Sequence, residues 1–220
     1  MINNWKMGFQ SLKYAYGRLS NTIMMVIFFL MGILFYAMGP MLNNAFFGGF
    51  MIMCAALMPT QMIYSLSVSN LVQASPAKKK MQTSVPAVFT TGSMMAVYLV
   101  NILIHAVISA LSPETDYDAG GAMVMQALTA LTLMAYLGVA YKYFMASLVM
   151  FFVVYFSVYT GGFAAGVLFE AVNIPFALAA VLGFALIAAG GAAQYWVSLL
   201  VYKAPMSKMA QTASLRKELQ

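Results

Sequence analysis

His105 and Ser109 stand four residues apart in an apolar stretch, so on a helix they share one face, and a histidine beside a hydroxyl is the minimum of an activated nucleophile. Hydrolysis by such a pair needs a carboxylate to orient the imidazole, and no Asp or Glu lies on the same stretch. Thr91-Gly92-Ser93 is not the GxSx pattern of intramembrane serine proteases. The single cysteine, Cys54, sits inside an apolar span and can form neither an intrachain disulfide nor a metal cluster. No GxxxxGK[ST] sequence occurs, so ATP is not bound through a P-loop. The residue types therefore supply no catalytic, cofactor-binding or metal set, and the chain is not expected to be an enzyme.

What remains is a scatter of uncharged polar groups in apolar surroundings. Tyr98, Asn101 and His105 follow steps compatible with one helical face that also takes in Thr91 and Ser109. Gln126 with Thr129 and Tyr136, and Gln194 with Ser198, repeat the pattern further along, and Gln61 follows the Pro59-Thr60 pair. Such groups in hydrocarbon need a protein partner or a wet cavity. Gln61, Tyr98, Asn101, His105, Gln126 and Gln194 are accordingly the candidates for a translocation path. The alternative is interhelical hydrogen bonding, worth about 0.6 kcal/mol for each bond.

The elements that must position these groups are membrane spans. Of the 220 residues 63% are hydrophobic and 7% charged, far from the composition of a soluble domain. With about 20 residues needed per crossing, six spans consume nearly the whole chain: 21–38, 46–69, 86–111, 122–140, 145–162 and 176–201. The expected fold is an all-α polytopic membrane protein in one transmembrane domain, with an interfacial helix over 1–19, spans within 20–202 and a tail over 203–220.

Charge sets the expected orientation. Lys6, Lys13, Arg18, Lys78 to Lys80, Lys142, Lys203, Lys208, Arg216 and Lys217 are all the basic residues, and all fall on one side of the six-span arrangement. Glu114, Asp116, Asp118 and Glu170 fall on the other, and only Glu218 breaks the separation. The positive-inside rule then makes both termini cytoplasmic. Because the net charge of +6 is spread over short connectors rather than gathered on one solvated face, it does not indicate nucleic acid.

Three segments outside the spans carry further expectations. Ile2, Trp5, Phe9, Leu12, Tyr16 and Leu19 recur at three- and four-residue steps, predicting an amphipathic helix in the headgroup layer. In the connector LVQASPAKKKMQTSVPA, Ser75-Pro76 is a good cap and first-turn pair for a short helix over 75–83, and its lysines could equally hold the loop inside and touch anionic lipid. Residues 161–175 separate spans five and six with Gly161, Gly162, Gly166, Glu170 and Pro175, as a turn or as a hairpin dipping into the membrane.

This layout resembles the transmembrane subunit of an ABC-2-type (type V exporter-like) ABC exporter. The connector ASPAKKKMQTSVPAVF is similar to that of small Gram-positive permeases that export phenol-soluble modulins and related peptides. The resemblance implies that Ser75, Pro76, Lys78, Lys79, Lys80 and Gln82 couple the chain to a separate ATPase subunit, which would hold the ATP and Mg, since this chain binds no cofactor. It further implies a second permease copy or paralogue, a bacterial plasma-membrane location, contact with membrane lipids, and amphipathic peptides or lipid-like molecules as substrate. Gly161, Gly162, Gly166 and Glu170 would form the extracellular gate. Two alternatives are a six-span substrate-binding component of an importer, whose AxxxA docking face 21–38 lacks, and an immunity or chaperone protein working without an ATPase.

Overall fold

The computed structural model describes residues 2–15, 17–38, 44–111, 119–143, 145, 149, 152–153 and 174–205. Among these the secondary structure is helical, without strands. Eight helices have described bounds, in order: α1 (Ile2–Tyr14), α2 (Arg18–Ala37), α3 (Asn44–Ser67), α4 (Asn70–Gln73), α5 (Lys78–Gln82), α6 (Ser84–Leu111), α7 (Ala119–Ala140) and α8 (Phe176–Tyr202). Five segments among the described residues are long and apolar enough to cross a membrane, carried by α2, α3, α6, α7 and α8. Their mean hydropathy runs from 1.4 to 2.2, and the chain is a polytopic membrane protein. The expected span over 145–162 lies mostly outside the described residues. Met145, Val149, Phe152 and Val153 within it are helical positions with exposed side chains.

The spans differ in how far the protein itself covers them. In α3 and α7, 61% and 56% of the most apolar window is buried, against 11% in α2. The centre is therefore α3 and α7; α7 packs chiefly on α8, and α2 leans on α3 from outside. Met53, Leu57, Met94, Met123, Leu133, Met134 and Ile187 fill the core between α3, α6, α7 and α8. Ile23, Ile27, Leu30 and Leu34 of α2 point outward, the expected arrangement where the surrounding solvent is hydrocarbon.

Close approach of α2 to α3 is possible because Gly32 and Gly48 meet at the crossing. A Cβ on Gly32 would come to 2.8 Å from the Gly48 carbonyl oxygen and would run into the Ile52 side chain. The helix runs through Pro59 without a break, although proline removes one N–H from the ladder. Beside it, Ser93 of α6 donates to the Ala56 carbonyl at 3.2 Å and Thr60 turns toward Thr90. The carbonyl that Pro59 leaves without its helical N–H is that of Ala55, so these bonds join α3 to α6 next to the proline rather than replacing the missing one.

At the amino end the structure corrects the sequence expectation. The amphipathic helix stops at Tyr14 rather than continuing through residue 19, because Gly17 adopts φ 67 and turns the chain into α2. Nor does α1 only lie in the headgroup layer: it docks on the bundle. Trp5 and Phe9 pack on Phe89 of α6 with ring centroids 5.2 Å away in both cases, and Gly8 also rests on Phe89. The inward face is Gly8, Ser11 and Ala15 flanked by Trp5 and Leu12, while Phe9 remains 60% exposed. Rotation of the helix toward its small residues is what allows so short an approach.

Candidate functional site

Two buried polar clusters and one basic cleft occupy successive levels of the bundle. The first cluster joins α2, α6 and α7. Gln126 Nε2 donates to the Tyr36 hydroxyl at 3.1 Å, Tyr36 donates to Asn101 Oδ1 at 3.2 Å, and His105 Nε2 lies 3.2 Å from Gln126 Oε1. Placing the imidazole proton on Nε2 satisfies all three contacts at once, with Tyr36 edge-on to the His105 ring. Asn101 Nδ2 is buried and has no partner. Asn101, His105 and Gln126 are fully buried, so the sequence candidates on α6 and α7 do converge. Tyr36, which closes the ring of contacts, is not among the sequence candidates: it sits in a run of apolar residues with nothing around it to mark it as polar.

The second cluster lies closer to the lysine-bearing connectors. Thr90 commits its hydroxyl proton to the Pro86 carbonyl at 2.7 Å and therefore accepts from Thr60 at 2.8 Å and from Gln194 Nε2 at 3.1 Å. The other proton of the same Gln194 amide goes to the Tyr64 hydroxyl at 3.1 Å; Tyr64 donates to Ser198 at 3.2 Å, and Ser198 to the Gly138 carbonyl at 3.4 Å. Gln194 Oε1 has no partner. At about 1.5 Å rise per residue, Thr90 and Asn101 are separated by about 16 Å along α6. Tyr98 stands between the two levels, fully buried, its hydroxyl donating to the Ala179 carbonyl at 3.1 Å. Gln61 belongs to neither cluster; its side chain is exposed on α3, and Ser109 is likewise exposed whereas His105 is fully buried. Gly161, Gly162, Gly166 and Glu170 lie outside the described residues.

The connector between α3 and α6 is built differently from the sequence expectation. The helix expected over 75–83 is the shorter α5, beginning at Lys78 with Ala77 as its cap residue. Ser75 accepts from the Ala77 N–H at 3.2 Å, so Ser75-Pro76 shapes the turn before the helix rather than capping it. The serine that caps a helix here is Ser69, which accepts from Val72 N–H at the start of α4. Gln82 is fully buried and its amide donates to the Ser67 carbonyl at 3.2 Å, as Gln73 does at 2.8 Å. Both glutamines thereby strap the connector to the last turn of α3. Met81 is buried with Val85 and Phe89 against α1, and Ser11 of α1 reaches its sulfur. Lys79 and Lys80 project outward from this fastened base.

Lys142 departs from its expected role as a loop charge. It is only 3% exposed, and its Nζ donates to the carbonyls of Val201, Tyr202 and Ala204 at 3.0, 2.6 and 2.8 Å. All three ammonium protons are used to cap the carboxyl end of α8, where the helix dipole favours a cation. Tyr143 adds a bond from its hydroxyl to the Pro205 carbonyl at 2.6 Å. Lys142→Met should fray residues 201–204, costing about 1 to 2 kcal/mol and accelerating amide exchange there while α7 keeps its protection. Unchanged exchange at those amides would show that the cap is idle.

Among the described residues no group of His, Cys, Asp and Glu could hold a metal ion. The arrangement instead offers neutral donors and acceptors at two depths and a basic end fastened to both. Comparison with known protein families, with curated proteins and with solved structures finds no match to this chain.

Proposed function

We propose that this chain is the permease subunit of an ATP-driven exporter, taking its energy from a separate ATPase that docks on the α4–α5 connector. The observation that carries this reading is the fastening of that connector. Gln73 and Gln82 tie it to the end of α3, Met81 and Val85 tie it to α1 and α6, and only a single residue, Thr83, separates α5 from α6. A push on Lys79 and Lys80 is therefore delivered to two spans together, with little slack in between. Those two spans carry Thr60, Tyr64, Thr90, Asn101 and His105, so displacement at the connector re-registers both polar clusters.

On this reading the basic end faces the cytoplasm, residues 145–162 supply a sixth span, and ATP and Mg reside on the partner. Two permeases face each other, and the two polar levels line a route for amphipathic peptides or lipid-like molecules, whose polar edges exchange hydrogen bonds with them. Neutral amides and hydroxyls suit such a cargo because they release it without a charge to strip.

The test is affinity capture of the full-length chain from its native membrane. A stoichiometric protein with a P-loop and ATP-hydrolysing activity is expected. Reversing Lys79 and Lys80 to Glu should weaken that association by at least about tenfold while leaving the inserted amount unchanged. Capture without any ATPase would sink the proposal, as would undiminished transport by the reversed variant.

A further inference from the structure

At the basic end, Gln73, Lys78, Lys142, Tyr202 and Lys203 line an open cleft of about 460 Å³. Three ammonium groups from three separate segments meet there: Lys78 at the start of α5, Lys142 in the turn after α7 and Lys203 just after α8. All five Asp and Glu of the chain lie outside the described residues, so no carboxylate among the described residues balances them. Lys142 spends its protons on three carbonyls, which satisfy its hydrogen bonding but bring no countercharge. Burial, and after it the nearby charge of Lys78, holds the pKa of Lys142 below the usual lysine range. The positive field of the cleft is thus partly self-opposed until an anion enters.

Depth identifies the anion. Tyr141, Tyr143 and Tyr202 gather around Lys142, whose ammonium stands 5.7 Å from the ring centroids of Tyr141 and Tyr202. Tyrosines and lysines grouped at the ends of apolar spans mark the level of lipid headgroups. The cleft therefore opens where phosphodiesters lie.

We propose that this cleft binds a phosphate group, with Lys78 and Lys203 as the direct ligands and Lys142 as the buried charge behind them. The same chemistry could come from the headgroup of an anionic phospholipid or from a soluble phosphate. A phosphate held there would bridge the α5 connector to the ends of α7 and α8, coupling the connector to spans it does not otherwise grip strongly. Because it concerns the isolated chain, this inference stands or falls independently of the docking partner.

Native mass spectrometry of the purified full-length chain, titrated separately with phosphatidylglycerol, phosphatidylcholine and inorganic phosphate, is the test. Phosphatidylglycerol should bind in preference to phosphatidylcholine. The Lys78→Gln, Lys203→Gln double variant should lose about thirtyfold in affinity for it, as two lysine contacts of ordinary strength would give. Removing the same charge from exposed positions of α1, with Lys6→Gln and Lys13→Gln, should leave binding within about twofold. Inorganic phosphate binding as tightly as the lipid, and lost in the same cleft variant, would assign the soluble source and keep the site. Equal losses in the cleft and α1 variants would overturn the proposal, since binding would then follow total charge, as would equal affinity for the zwitterionic lipid. Unaltered thermal unfolding of the cleft variant confirms that its loss is not misfolding; Lys142 is left intact because it caps α8.

Discussion

Replacing Gly32 with valine should lower the unfolding free energy by about 3 kcal/mol or more, at the upper end of what overpacking costs. The reason lies in what surrounds the missing side chain. A Cβ at this position would stand 2.8 Å from the Gly48 carbonyl oxygen and 3.1 Å from the Ile52 nitrogen, and backbone atoms inside a helix cannot swing aside as side chains do. Relief requires α2 to move off α3, and among the described residues α3 is its main support, the Tyr36 hydrogen bonds to α6 and α7 being strained by the same movement. Unfolding in mixed micelles measures the loss, with Ile33→Val on the exposed face of α2 as a control expected within about 0.5 kcal/mol of the parent. A loss for Gly32→Val no greater than that control would show that the two helices separate without cost.

Tyr36→Phe should cost about 2 to 3 kcal/mol, although it deletes a single oxygen atom. That hydroxyl accepts from Gln126 and donates to Asn101, and among the described residues no other hydrogen bond reaches Asn101 Oδ1. Since Asn101 Nδ2 already lacks a partner, removing the hydroxyl leaves the whole amide buried without a bond. An unmade bond in an apolar interior costs more than the same bond contributes when formed. The double variant Tyr36→Phe, Asn101→Leu should therefore recover at least half of the loss, because it removes the stranded amide as well. Additive losses in a double-mutant cycle would mean that the two residues act separately.

How much of this was legible before the fold is clearest residue by residue. Five of the six expected spans coincide with described helices, because a length of apolar residues matched to a bilayer is a one-dimensional signal. Asn101, His105 and Gln126 also stood out, since polar groups in apolar runs are rare enough to notice. Tyr36 did not, because tyrosine in such a run reads equally well as an aromatic packing residue. Lys142 reads in sequence as an ordinary loop charge, since nothing in Tyr141-Lys142-Tyr143 announces that the carbonyls it caps arrive from α8, some sixty residues later. Ser69 and Ser75 both precede short helical runs and both are good caps by residue type, and only the local backbone geometry makes Ser69 the cap of α4 and leaves Ser75 in the turn before α5. Periodicity located the elements, whereas contacts made across the chain chose the partners.

The seat of α1 has a consequence for how the protein is made. Trp5 and Phe9 close on Phe89, near the start of the third span in chain order, so α1 cannot take this seat until α2, α3 and the beginning of α6 have been synthesised. During that interval the arm waits with its aromatic rings uncovered, held only by its affinity for the lipid surface. Docking of α1 is then expected only after synthesis has passed Phe89, and a chain stalled before that residue leaves Trp5 without its aromatic seat.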